Sequence, residues 1–81
     1  MPARPADPAL ADFGAAVRKC RQRLGLSQEA LADVAGIHRT YIGDVERGMR
    51  NVSLLNILRI SRALDIEASN LMQVMEGLRR S

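Results

Sequence analysis

The sequence predicts an all-α fold, a compact bundle of five helices, and three observations carry that expectation. Apolar residues recur at spacings of three and four along most of the chain, which gathers them on single helical faces. Ser27 and Ser53 stand just before such runs, where a hydroxyl can accept from the unpaired N–H groups of a first turn. Gly25, Gly36 and Gly48 follow such runs, where a helix commonly closes in a left-handed residue. Eighty-one residues suffice for one small domain with a modest core. Stabilisation by association of copies is therefore expected.

Composition narrows the function classes. The chain carries 12 basic and 9 acidic residues, a net charge of +3 that favours an anionic partner. Phe13 and Tyr41 are the only aromatic residues, too few for base-stacking platforms on single strands or for the aromatic sheets of common RNA modules. The single cysteine, Cys20, forms no intrachain disulfide and no Cys-based zinc cluster, and fits a reducing compartment. No apolar run is long enough to cross a bilayer. The opening MPARPADPAL lacks the apolar core of a secretion signal. The expected location is the cytoplasm, with no membrane contact.

Residues 1–6 hold two prolines and read as a flexible arm in which Arg4 could reach an anion; residues 7–81 read as the single domain. The first helix starts at Asp7, with Pro8 in its first turn, or at Asp12. Leu10, Phe13, Val17, Cys20 and Leu24 form its buried stripe, weakened slightly by Gly14. Cys20 on that stripe reads as a small core hydrophobe. Ser27 caps the second helix, opened by Gln28 and Glu29, and the third begins at His38 or Arg39 and runs to Arg47. Ser53 caps the fourth, LLNILRISRALD, with Leu54, Ile57, Leu58, Ser61 and Leu64 toward the core and Leu55 and Ile60 off it. The fifth spans residues 68–79. Leu71, Met75 and Leu78 form one stripe, which Met72 and Val74 widen beyond what the edge of a small core needs.

The stretch from Gln28 to Arg47, QEALADVAGIHRTYIGDVER, organises the rest. Leu31, Ala35, Ile37, Ile42 and Val45 are its apolar positions, and Ala32 is small where two helices cross. Gly36 sits where the chain must turn and can adopt positive φ at no steric cost. His38, Arg39, Thr40, Tyr41, Gly43 and Asp44 fall on the opposite side of the second of these helices. A helix that buries one stripe and presents varied donors and acceptors on the other suits the edges of bases in a major groove.

These residues resemble the helix-turn-helix of the Cro/C1-type (XRE-like) repressor family, over roughly residues 13 to 72. The resemblance implies a lambda-repressor-like domain with its motif at helices 2 and 3, and binding to double-stranded DNA. It also implies an ion pair between Arg21 and Glu46, and a phosphate contact by Gln28 at a helix N-terminus. The segments RTYI (Arg39 to Ile42) and ERGMRN (Glu46 to Asn51) are similar to those of restriction–modification controller proteins, which activate or repress from neighbouring operators. Phage-type repressors and antitoxins share parts of the pattern, and a protein-interaction adaptor of the same fold is the remaining alternative.

On that footing the expected base readers are His38, Arg39, Thr40, Asp44 and Tyr41. Arg39 is placed for guanine O6 and N7, and Thr40 for a donor, an acceptor or a thymine methyl. Asp44 either accepts from cytosine N4 or holds Arg39 or Arg47; Tyr41 either touches DNA or packs half-buried. Gln28, Arg47, Arg50, Asn51 and Ser53 are the expected phosphate contacts. One recognition helix spans few base pairs, so a homodimer on a pseudo-palindrome is expected. Leu71, Met72, Val74, Met75 and Leu78 are its candidate interface. No catalytic constellation, metal site, cofactor or small-molecule ligand is expected: the single His38 has no cysteine partner, and no phosphate-binding loop is present.

Overall fold

A computed structural model of the chain describes residues 7–80. The expected arm at residues 1–6, with Arg4, lies outside them. Five helices follow in order: α1 (Pro8–Arg23), α2 (Gln28–Ala35), α3 (Arg39–Glu46), α4 (Leu54–Ala63) and α5 (Ala68–Arg80). There is no strand among the described residues.

Local chemistry sets the boundaries. The Ala9 N–H donates to Asp7 Oδ1 at 2.8 Å with Pro8 in the first turn, so α1 starts at Asp7 and not at Asp12. Ser27 Oγ accepts from the Ala30 N–H at 3.0 Å, and Ser53 Oγ from the Asn56 N–H at 3.2 Å. α3 uses an imidazole instead: the Thr40 N–H donates to His38 Nδ1 at 3.2 Å.

Four helices end in the same way. A backbone N–H reaches back across a left-handed residue to a carbonyl five positions earlier: Leu26 to Arg21 (3.1 Å), Ile37 to Ala32 (3.0 Å), Met49 to Asp44 (2.9 Å) and Ile66 to Ser61 (3.1 Å). The left-handed residue is glycine in the first three cases and Asp65, at φ 57°, in the fourth.

α1 packs against α5 and α3, α2 against α3 and α4, and α4 against α5, so the five helices close in a ring around one core. Phe13, Ala16, Val17 and Cys20 meet Leu31, Ala32, Ile42, Val45, Ile60, Leu64, Leu71 and Met75 in one apolar cluster. Gly14 is where α1 and α3 cross. A Cβ there would collide with the carbonyl oxygen of Val45 and lie 2.7 Å from that of Glu46. The residue that looked like a weak point of α1 is thus what lets α3 sit close to it.

Two apolar assignments differ from the periodicity reading. Leu24 is 50% exposed, because it follows the last turn of α1 rather than lying within it. On α4, Ile60 is fully buried beside Ser61 and Leu64, whereas Leu54 and Leu58 are 70% and 39% exposed. Both candidate stripes obey the three-and-four spacing. Docking α4 against both α2 and α5 selects the one containing Ile60. Ser61 tolerates burial because its hydroxyl donates to the Ile57 carbonyl at 2.6 Å.

Candidate nucleic-acid interface

α2 and α3 are held as a unit by Leu31, Ala32, Ile42 and Val45, all buried, and by the sharp turn at Gly36. With that stripe inward, Arg39 and Thr40 stand exposed on the first turn of α3. No ion pair holds Arg39 among the described residues, which leaves its guanidinium free to fork onto a base edge. His38 is exposed and uses Nδ1 as the cap, so its Nε2–H is the atom able to donate outward.

Gly43 is buried, not on the open side as its position on the helical wheel suggests. Arg47 and Gln28 lie over it: a Cβ at Gly43 would come 3.4 Å from Arg47 Nη1 and 3.6 Å from Gln28 Oε1. Tyr41 is half-buried and packs against the core cluster. Its ring also supports Arg50, whose Cζ lies 5.2 Å from the ring centroid.

Asp44 engages both carboxylate oxygens. Arg47 Nη2 donates to Oδ1, and Arg50 Nε donates to Oδ2 at 3.3 Å. Of the roles open to Asp44, the geometry therefore has it holding arginines, Arg47 and the additional Arg50, and not Arg39. Arg47 and Arg50 remain 61% and 51% exposed at their side chains, so both charges face solvent.

Behind this surface is a polar junction of three helices. Arg21 of α1 donates from Nε to Glu46 Oε2 at 2.6 Å and from Nη2 to Oε1 at 2.9 Å. Its Nη1 donates to the Leu26 carbonyl at 2.8 Å. Gln28 Nε2, at the start of α2, donates to the same Glu46 Oε1 at 3.1 Å. Donating to the Glu46 carboxylate raises the Arg21 pKa above the ordinary guanidinium value. Gln28 is thus anchored to α3, with its second amide hydrogen and the free backbone N–H groups of the first turn of α2 left for an anion. Ser53 accepts as the cap of α4 and keeps its hydroxyl hydrogen to donate; Asn51 is exposed beside it.

The five apolar residues expected on a dimer face divide. Leu71 and Met75 are buried in the core of this protomer, and Val74 and Leu78 pack half-buried against it. Met72 is 36% exposed. The periodicity reading missed the larger exposed apolar surface on α4, where Leu54, Leu55 and Leu58 face outward at 70%, 65% and 39%. Counting five large aliphatic residues in a ten-residue helix with a two-layer neighbourhood is the signal that could have exposed the surplus.

The helix-turn-helix family model matches residues 17–71. The control protein C.BamHI of Bacillus amyloliquefaciens is 51% identical over 61 residues, covering 74% of this chain and 75% of that protein. The control protein C.SmaI of Serratia marcescens is 44% identical over 63 residues, covering 78% and 74%. Among solved structures, the restriction-modification controller protein C.AhdI from Aeromonas hydrophila matches with a TM-score of 0.79 at 52% identity, over 80% of this chain and 98% of that one.

Proposed function

The chain belongs to the helix-turn-helix family, and from that premise we propose that it is a DNA-binding transcriptional regulator that controls a restriction–modification system as a homodimer on a pseudo-palindromic operator. The observation that carries the reading is the exposed first turn of α3. Its unpaired Arg39 and its Thr40 are exposed while Ile42 and Val45 of the same helix are buried, and Arg47 and Arg50 are grouped just past its far end. That is the division of labour a major-groove reader needs: base edges at the helix start, phosphates around its end. The similarity to C.BamHI, C.SmaI and C.AhdI supports the assignment to restriction–modification control.

In this reading Arg39 reads guanine, and Thr40 and the His38 Nε2–H read a neighbouring pair. Gln28, Arg47, Arg50, Asn51 and Ser53 fix the domain on the backbone. Two copies meet through the exposed leucines of α4 together with Met72, since a two-fold interface must be self-complementary and these are four of the six exposed large apolar side chains among the described residues. The test is footprinting on the DNA upstream of the protein's own gene, with a salt titration of the affinity. A symmetric protected site with steeply salt-dependent affinity is expected. A protein that binds that DNA no better than random duplex, while tightly binding a small protein encoded beside it, points to the antitoxin alternative.

A further inference from the structure

Asp44 places a carboxylate on the recognition helix, where a nearby phosphate backbone would repel it. Its two oxygens are occupied by Arg47 and Arg50, and its side chain is 22% exposed. Arg50 is held on its other side by the Tyr41 ring. Tyr41, Asp44, Arg47 and Arg50 thus form one cluster in which a single negative charge restrains two positive ones.

We propose that Asp44 is a specificity-determining residue that acts as an internal counter-ion, weakening attachment to arbitrary DNA more than attachment to the operator. The proposal rests on the DNA-binding reading above and deepens it. Binding to arbitrary sequence is almost wholly electrostatic, so a fixed carboxylate among the phosphate-facing arginines subtracts from the main source of that affinity. In the operator complex the same carboxylate returns part of its cost. It holds Arg47 and Arg50 in one arrangement, with Arg50 braced on Tyr41, so less side-chain freedom is lost when both dock. Loose complexes on arbitrary sequence gain nothing from that ordering. Specificity is the difference between the two affinities, and a group that lowers the weaker one more widens it.

The other carboxylates of α3 and α2 leave this role to Asp44. Glu46 faces inward onto Arg21 and Gln28. Glu29 and Asp33 of α2 make no ion pair with Arg47 or Arg50, whose carboxylate partner is Asp44.

The experiment compares the wild type with Asp44→Asn and Asp44→Glu, on a random-sequence duplex and on the operator selected from a random pool, across a salt series. Asp44→Asn should tighten binding to the random duplex about tenfold at low salt and steepen the logarithmic salt slope by about one unit. Operator affinity should rise by less, so the ratio of the two falls, and Asp44→Glu should restore the wild-type slope. An unchanged random-duplex affinity and slope in Asp44→Asn overturns the proposal. So does a loss of operator affinity confined to one base pair, which would make Asp44 a base reader. A wild type that binds neither duplex overturns the DNA-binding reading itself, a result distinct from both.

Discussion

Arg21 on α1 and Glu46 at the end of α3 form a two-bonded ion pair that is nearly closed to solvent, with side chains 12% and 4% exposed. The pair fixes the recognition helix to α1, and Gln28 adds α2 to the same carboxylate. Removing one partner strands the other, so Arg21→Ala or Glu46→Ala should each cost about 3 kcal/mol of stability. A double-mutant cycle in urea should return a coupling of about 2 kcal/mol; zero coupling would mean that the pair does not tie α3 to α1. The pH dependence has a definite sign. A folded-state pKa raised above the unfolded value gives a contribution fully present below that value and lost only as pH rises through the raised one. For an arginine that lies in strong alkali, so titrating Arg21 should not alter unfolding free energies between neutral and mildly alkaline pH.

Arg39 and Arg50 should respond differently to truncation. Arg39→Ala should cost about 1–3 kcal/mol on the operator and relax preference at one base pair. Arg50→Ala should weaken binding to the operator and to its single-base variants alike and lower the salt slope by about one unit. Competition between the operator and single-base variants distinguishes them. A uniform loss in Arg39→Ala would reassign that residue to the backbone.

Gly14→Ala should destabilise by about 2–3 kcal/mol, even though alanine favours helices, because the added methyl meets backbone carbonyls of α3 that cannot rotate away. Gly77, on α5, has open space around its Cβ position, so Gly77→Ala serves as the control. It should gain about 0.5–1 kcal/mol from helix propensity. Thermal unfolding of the two variants should move in opposite directions.

Asp65→Gly should stabilise the fold by about 0.5–1 kcal/mol. Asp65 holds the left-handed position that glycine holds after α1, α2 and α3, and it sets a negative charge at the C-terminal end of α4 where the helix dipole is also negative. The check is the urea midpoint; a lower midpoint would mean the Asp65 side chain contributes an interaction beyond the turn.

Leu55→Glu and Leu58→Glu should leave the unfolding of the isolated domain nearly unchanged, because both side chains face outward, and should abolish self-association. Sedimentation velocity at micromolar concentration would follow it. A pair of variants that still sediments as a dimer would move the interface away from α4.

Much of this protein was legible in its sequence. The all-α class, the caps at Asp7, Ser27 and Ser53, and the Leu31, Ile42 and Val45 stripe follow from interactions within a few residues, which are encoded locally. The exposed side of α3 follows from that stripe by geometry alone. The tertiary structure decided what depends on partners distant in the chain. It chose Ile60 over Leu54 and Leu58 for the core, because two overlapping stripes satisfy one period and only the packing of α4 between α2 and α5 separates them. It turned Gly14 from a weak helical residue into the crossing point of α1 and α3. It buried Gly43 under Arg47 and Gln28, enclosed Leu71 and Met75 within the protomer, and gave Asp44 to Arg47 and Arg50. Periodicity reports which side of a helix is apolar, but which neighbour that side meets is fixed only when all five helices close on one core.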